Sequence, residues 1–283
     1  MAIQFSSIIA AQAQKVSTFS VQNIDLQRLG ERASPLQLFH DFRLRGRPFG
    51  PHPHGGFSVI SYVFEDSPSG LRSRDSLGND FVIGPGGMVW TQAGSGLMHQ
   101  EVAADNDREL HGLQAFVNLS SKNKLSAPQV LRLERRDVPE WRSGTGDRVR
   151  VLVGTFEGVS SPLVPTEPFT FLEVGLRGGI AFNLRAGHNA LLYVFEGRVR
   201  VLADDHEQKV TREHALALFG TGGEATLEPL EPARLLILSG AEIREPVVAG
   251  GPFIMNNQAQ IDAAFARYRA GAMGHLAAQE EQR

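Results

Sequence analysis

Glycine and proline divide this chain into short apolar runs, and that division constrains the fold more than any other feature. Thirty Gly and fifteen Pro are spread along the 283 residues instead of being pooled in one segment. Runs such as residues 59–64, 113–119 and 149–153 are mostly apolar and bounded by turn residues, which is typical of strands. A parallel α/β sheet would need amphipathic helices between the strands, and the sequence shows no such series. We therefore predict an all-β chain built as a sandwich or barrel.

One helix is predicted near the C-terminus. Asn257 can cap it, Gln260 stands at the third helical position, and Gly271 can end it. Apolar residues recur there at helical spacing on one face: Ile261, Phe265 and Tyr268. This pattern indicates a short amphipathic helix that packs against a sheet.

A four-residue repeat divides the chain near its middle. Tyr62-Val63-Phe64-Glu65 recurs as residues 193–196, an offset of 193 − 62 = 131 positions. Each copy follows a glycine turn that contains histidine, so duplication of a β unit explains the repeat better than chance. Residues 160–168 are polar and rich in proline, as a linker would be. We predict two β-barrel domains, residues 1–160 and residues 161–283, the second ending in the helix.

Composition excludes several classes of protein. Twenty-eight Lys and Arg against thirty-one Asp and Glu give a net charge of −3, which argues against direct nucleic-acid binding. The chain has no cysteine, so neither disulfides nor thiolate ligands are available. No apolar stretch approaches the length of a membrane span, and the first residues do not resemble a signal peptide. We expect a soluble, cytoplasmic protein with no membrane association.

Two pairs of polar residues point to a metal site. His52 and His54 lie two apart in an extended segment that leads into a predicted strand, and His99 and Glu101 repeat this spacing about forty-five residues later. Side chains two apart on a strand share a face. Neighbouring strands would therefore present three imidazoles and one carboxylate to a divalent first-row metal. For either pair alone, solvent-facing polar residues or a histidine hydrogen-bonded in a core are the simpler explanations.

These motifs resemble those of the pirin family within the cupin superfamily. The resemblance runs through PHPHGGFSVISYVFE, SRDSLGND, MVWTQAGSGLMHQE and LHGLQAFVNL, and returns at the end in GPFIMNNQAQIDAAFARY. It implies a bicupin fold of two jelly-roll barrels, with one metal in the N-terminal barrel. The family's ligand positions fall on His52, His54, His99 and Glu101. Iron is the metal that the resemblance favours, with nickel, manganese, cobalt, copper and zinc as alternatives.

Two residues beside the site depart from the family pattern. Gly55 stands where the family usually has arginine, and Ser58 stands where it usually has glutamate. Neither is a ligand position in the family, so metal binding should survive. Because the loss of an arginine and an acid changes the charge of the pocket, the molecule that the pocket binds can differ from that of other family members.

The second half offers weaker candidates. His188 is a lone histidine where a metal site would need two, so we expect no metal there. His206 and His214 lie among charged residues and are predicted to be at the surface. We interpret the remaining histidines, His40, His111 and His275, as solvated or hydrogen-bonded. Gln114 is interpreted as a residue at the border of the pocket.

Two functions of different classes follow from the resemblance. The first is an enzyme, a quercetin 2,3-dioxygenase that cleaves quercetin or a related flavonol at a mononuclear metal, with Glu101 as a ligand that also accepts the substrate proton. The second is a non-enzymatic, metal-dependent regulator that binds a transcription factor or a metabolic enzyme. Oxygen consumption with a panel of flavonols separates the two.

Overall fold

The computed structural model describes residues 3–277 and confirms an all-β chain with a short C-terminal helix. The strands, in chain order, are β1 (Ile3–Phe5), β2 (Ile9–Ala10), β3 (Gln12–Val16), β4 (Phe19–Asn23), β5 (Leu36–Leu44), β6 (His52–His54), β7 (Phe57–Val63), β8 (Leu71–Asp75), β9 (Asp80–Ile83), β10 (Met88–Gln92), β11 (Leu97–Ala103), β12 (Leu110–Asn118), β13 (Gln129–Leu133), β14 (Glu140–Arg142), β15 (Arg148–Val153), β16 (Thr155–Phe156), β17 (Val159–Ser160), β18 (Phe169–Leu176), β19 (Ile180–Leu184), β20 (His188–Ala203), β21 (His206–Thr211), β22 (His214–Gly220), β23 (Gly223–Ala241), β24 (Val248–Gly250) and β25 (Phe253–Met255). The α-helix is α1 (Gln258–Arg269), and 3₁₀ helices cover Leu26–Ala33 and Arg135–Asp137.

The described residues form two compact units. One, which we call the histidine unit, comprises residues 14–21, 40–135 and 244–277; the other, the second unit, comprises residues 3–13, 22–39 and 136–243. Helix α1 therefore belongs to the unit that contains His52 and His99. The domain boundary predicted between residues 160 and 161 stays a prediction.

The two units repeat one strand plan. The histidine unit contains a four-stranded sheet in the order β6-β11-β8-β9, and strand β7 lies between β10 and β12 in the larger sheet. In the second unit β19 pairs with the first half of β23, β21 pairs with the second half of β20, and the first half of β20 pairs with both β22 and the second half of β23. Each of the two long strands thus corresponds to two consecutive strands of the histidine unit. β20 occupies the positions of β7 and β8, and β23 occupies the positions of β11 and β12. This shared pairing confirms the β duplication predicted from the repeat.

The C-terminal helix forms as predicted. The side chain of Asn257 accepts the N–H of Gln260 at 2.9 Å, and the side-chain oxygen of Gln260 accepts the N–H of Asn256 at 2.9 Å. Ile261 is buried on the inner face of the helix, whereas Tyr268, at the far end of that face, stays 41% exposed. Within residues 3–277, no helix combines the length and the apolar character needed to cross a membrane.

A buried lysine holds the turn between β6 and β7. The Lys124 ammonium, fully shielded from solvent, donates to the carbonyl oxygens of Gly56 and Ile254 at 3.0 and 3.1 Å and to Oδ1 of Asn118 at 2.5 Å. Gly56 has a φ of 86°, and a Cβ there would collide with the carbonyl oxygen of Ile254. The turn therefore packs closely against β25, and hydrogen bonds from one ammonium group link the turn to that strand.

Burial lowers the pKa of Lys124 to about 8, and the charge of Glu245 opposes that shift. The unfolded chain binds this proton up to pH values near the usual 10.5, so the contribution of Lys124 to stability rises with pH between about 8 and 10.5. Below that window the ammonium is charged in both states, and the cost of burying it is present in full.

We predict that Lys124→Met lowers the free energy of unfolding by roughly 2–3 kcal/mol at pH 7, because three buried acceptors lose their donor. The deficit relative to wild type should widen between pH 8 and pH 10, where only the wild type gains stability. Urea unfolding at several pH values measures both effects. Lys122→Met, at an exposed position of the same loop, is the control. A deficit no larger than that of the control would contradict this role.

Candidate metal centre

The pairing of β6 with β11 brings the predicted histidines together. His52 lies directly opposite His99, and His54 lies opposite Leu97, two positions along. The imidazole centroids are 4.8 Å apart for His52 and His54, 4.7 Å for His52 and His99, and 4.6 Å for His54 and His99. Gln100, between the two predicted site residues of β11, instead donates to the carbonyl oxygen of Phe49 at 3.0 Å. The same-face prediction for the histidines is confirmed.

The nitrogen atoms of this cluster suit one shared cation. The Nε2 atoms of His52 and His99 face each other at 3.1 Å, while Nδ1 of His52 is 2.9 Å from the carbonyl oxygen of Gly50. Ligand atoms of His52, His54 and His99 all lie within 4.8 Å of one another. Nitrogens bound about 2.1 Å from one metal are about 3 Å apart when they occupy adjacent positions. Facing lone pairs at this distance need a proton or a metal between them.

Burial keeps the imidazoles of His54 and His99 neutral. Desolvation, followed by the charge of the nearby His52, lowers the pKa of His54 to about 3, and a hydrogen bond with the backbone of Pro252 opposes this shift. Desolvation, followed by the charges of His54 and His52, also holds the pKa of His99 well below its usual value. Neutral imidazole is the form that binds metals. The donor set therefore fits a transition metal at neutral pH.

Glu101 lies on the same strand but outside the three-histidine cluster. Its Oε2 accepts a hydrogen bond from Ser61 of β7 at 2.6 Å, and its Oε1 is buried without a hydrogen-bond partner. Burial raises the pKa of Glu101 to about 7, and the side chains of Ser61 and Gln114 oppose the rise. The set of mutually close ligand atoms comprises the imidazoles alone, so the carboxylate's place as fourth ligand stays a prediction.

Two aromatic residues flank His54. The ring of Phe57 lies 5.1 Å from the His54 imidazole and the ring of Phe116 lies 5.4 Å from it, both edge to face. Phe57 is buried, whereas Phe116 is only partly buried. One side of the cluster is therefore apolar and aromatic.

The departures at Gly55 and Ser58 have different structural consequences. A side-chain atom at Gly55 would approach the Phe253 ring at 3.2 Å, and Gly55 forms a parallel bridge with Phe253, so this position is crowded. Ser58 lies three positions from Ser61 on β7, and such residues point to opposite faces of a strand. Ser58 therefore faces away from Glu101, and its replacement of an acid leaves the carboxylate side of the site unchanged.

The other histidines of the histidine unit lie in three different environments. Nε2 of His111 is 2.8 Å from Asp41 Oδ1, and its ring stacks on Phe64 at 4.1 Å, which confirms a hydrogen-bonded core histidine. Burial lowers the pKa of His40. His275 is exposed. Within residues 3–277, none of these three belongs to the cluster.

The second unit has apolar residues at the equivalent positions. Aligning the β19–β23 pairing with the β6–β11 pairing by strand order and register matches the four predicted ligands to buried apolar residues. In the order His52, His54, His99 and Glu101, these are Phe182, Leu184, Ala225 and Leu227, all part of the apolar core. Ser61 and Gln114 match Leu192 and Ile237 of the same core. Apolar core packing thus fills the positions that are equivalent to the four predicted ligands, and the absence of metal from this unit stays a prediction.

Sequence reasoning missed Ser61 and Lys124. Ser61 lies in the predicted strand 59–64, four positions before the repeated glutamate, but nothing in the sequence indicates which neighbour it contacts. Lys124 resembles any surface lysine in a polar loop. Its burial depends on Gly56 and Ile254, which are 68 and 130 residues away in sequence.

Comparison with known proteins matches this architecture at the levels of family and fold. The family model for pirin matches residues 3–117, and the model for the pirin C-terminal cupin domain matches residues 171–274. Human pirin is 32% identical over 85% of this chain and 83% of its own length. A Pseudomonas aeruginosa protein provisionally named a quercetin 2,3-dioxygenase is 34% identical over 86% of this chain and 88% of its own.

A solved structure agrees with both units. The crystal structure of a quercetin 2,3-dioxygenase from Acinetobacter baumannii has a TM-score of 0.86 to this chain at 25% identity, covering 98% of this chain and 100% of the other. This similarity confirms the predicted bicupin fold. Together with the two family-model matches and the three-histidine cluster, it establishes that the chain belongs to the pirin family.

Proposed function

We propose that His52, His54, His99 and Glu101 bind one divalent transition metal. The observation that carries this proposal is the cluster of three mutually close imidazoles, of which His54 and His99 are buried and have lowered pKa values. The unpartnered Oε1 of Glu101, two residues from His99, supports the carboxylate as the fourth ligand. Iron is the first candidate. Nickel, manganese, cobalt, copper and zinc also accept nitrogen and oxygen donors of this kind.

We further propose that the site oxidises quercetin or a related flavonol with dioxygen. Three imidazoles and one carboxylate leave open positions on a five- or six-coordinate metal, where a bound metal supplies redox and Lewis-acid chemistry. The aromatic rings of Phe57 and Phe116 offer an apolar wall to a flat substrate. The provisional name of the Pseudomonas relative and the similarity to the Acinetobacter quercetin 2,3-dioxygenase support this substrate class.

Glu101 is the proposed proton acceptor for the substrate hydroxyl. A carboxyl whose pKa lies near the working pH is well suited to take up and release a proton. Burial raises the pKa of Glu101 to about 7 in the metal-free protein, and a bound divalent cation would lower it and keep the carboxylate ionised. Ser61 holds Oε2 in place at 2.6 Å. Ser61 is therefore a positioning residue in this scheme.

A second candidate function, metal-dependent regulation of a protein partner, rests on a groove of about 550 Å³ in the histidine unit. Pro51 and Met98 line the groove, and each precedes a histidine of the cluster. A change at His52 or His99 would be passed to this groove through the backbone that joins each histidine to the preceding residue, Pro51 or Met98. The partner would be a transcription factor or a metabolic enzyme. The cytoplasmic location expected from the sequence stays a prediction.

We predict about one metal per chain in protein purified without added metal. His54→Ala and His99→Ala should each lose most of this metal, because each removes one of three converging imidazoles. Both variants should remain folded with a modestly lower melting temperature, since metal binding stabilises only the folded state. Elemental analysis with circular dichroism measures both properties. His188→Ala, in the second unit, is the control and should retain its metal. Unchanged metal content in both site variants would rule out this assignment.

We predict that the metal-loaded protein consumes oxygen in the presence of quercetin, with the flavonol absorbance falling in step. Glu101→Gln should retain metal and lose turnover by about 10²- to 10⁴-fold, because an amide oxygen can still bind metal but accepts a proton poorly. An oxygen electrode and absorbance spectroscopy measure this outcome. Ser58→Ala, which alters the opposite face of β7, should retain activity. No uptake with any flavonol across iron, manganese, cobalt, nickel and copper loadings would favour the regulatory function.

A further inference from the structure

The second unit contains a small polar surface pocket of about 90 Å³ that the proposed function does not use. Thr155, Glu157, Asn183 and Arg185 of its lining are exposed, and His188 is partly buried. Its lining includes the charged and titratable side chains of Arg185, His188 and Glu157. Liquid water occupies roughly 30 Å³ per molecule, so this volume corresponds to about three water-sized groups. The cavity thus has both the polarity and the size of a site for a very small ligand.

One tight turn places the two basic residues of the cavity. The N–H of His188 donates to the carbonyl oxygen of Arg185 at 3.1 Å, and Gly187 between them has a φ of 72°. Burial, followed by the positive charge of Arg185, lowers the pKa of His188. A guanidinium and an imidazole are therefore held beside each other, an arrangement that an anion between them would stabilise.

Polar groups on the neighbouring strands complete the wall. Thr170 of β18 lies directly opposite Ser239 of β23, and both line the cavity. The Ser239 hydroxyl donates to the carbonyl oxygen of Asn189 at 2.9 Å, so its proton is already used. The Thr170 hydroxyl and the Asn183 amide, which also line the cavity, bring O–H and N–H donors.

Glu157 limits the charge that the cavity can accept. It lies in the turn between β16 and β17, with a left-handed φ of 45°. Its carboxylate would repel a dianion such as phosphate more strongly than a singly charged carboxylate. The bidentate geometry of a guanidinium fits a carboxylate and a phosphate alike, so the charge of Glu157 is what distinguishes the two ligands.

We propose that this cavity, which we call the Arg185 pocket, is a binding site for a small monocarboxylate of the size of formate or acetate. Arg185 pairs with the carboxylate, and the imidazole N–H of His188 and the donors of Thr170 and Asn183 complete its hydrogen bonds. The site gives the second unit a ligand of its own, independent of the histidine cluster.

The test is a titration of the full-length protein with sodium acetate against sodium chloride at equal ionic strength, followed through the imidazole NMR signals of His188. We expect a saturable shift with acetate and none with chloride. Arg185→Gln should weaken acetate binding by at least about 10-fold, whereas Arg198→Gln, at an exposed position of the same unit, should not change it. A linear, unsaturated response, or equal affinity in Arg185→Gln, would overturn the proposal.

Two further variants keep the test decisive if Arg185→Gln fails to fold. Arg185→Lys retains the charge without the planar fork and should bind acetate more weakly than wild type but saturably. Glu157→Gln should admit inorganic phosphate, which wild type should exclude. Phosphate binding to wild type as tightly as acetate would overturn the assignment to monocarboxylates.

Discussion

The cross-strand pairing of His52 with His99 is the interaction on which the site depends. Because side chains alternate along a strand, this single register places His54 on the same face and sends Gln100 to the other. A slip of one residue would turn the imidazoles to the opposite face and replace them with Pro53 and Met98. The glycine turn that Lys124 holds follows His54 directly. The buried ammonium therefore fixes the backbone next to the strand that carries His52 and His54.

The two units show how one strand plan supports different interiors. Both use the same antiparallel pairings, yet positions that carry imidazole and carboxylate in the histidine unit carry phenylalanine, leucine and alanine in the other. Buried polar groups cost free energy unless they are paired, whereas apolar groups contribute to stability by leaving water. The second unit thus fills its interior with packing, and the histidine unit retains polar groups whose pKa values burial shifts far from their ordinary range.

Local patterns made the class of fold, the C-terminal helix and the three-histidine cluster predictable. Asn257 and Gln260 carry their capping signal within four residues, and the His52–His54 spacing needs only the period of a strand. The same period could have shown that Ser58 and Ser61 point to opposite faces. Contacts between distant segments were beyond this reasoning: nothing near Lys124 indicates Ile254, and nothing near Glu101 indicates Ser61. The membership of residues 244–277 in the histidine unit depends on such contacts too.

Convergence of the three imidazoles on one metal is tested most directly by anomalous X-ray diffraction from crystals of the protein as purified. Data collected on both sides of the absorption edge of the metal found by elemental analysis locate that metal without reference to activity. We predict one strong anomalous peak per chain, within bonding distance of His52, His54 and His99. A peak elsewhere, or an ordered histidine cluster with no peak, would contradict this prediction.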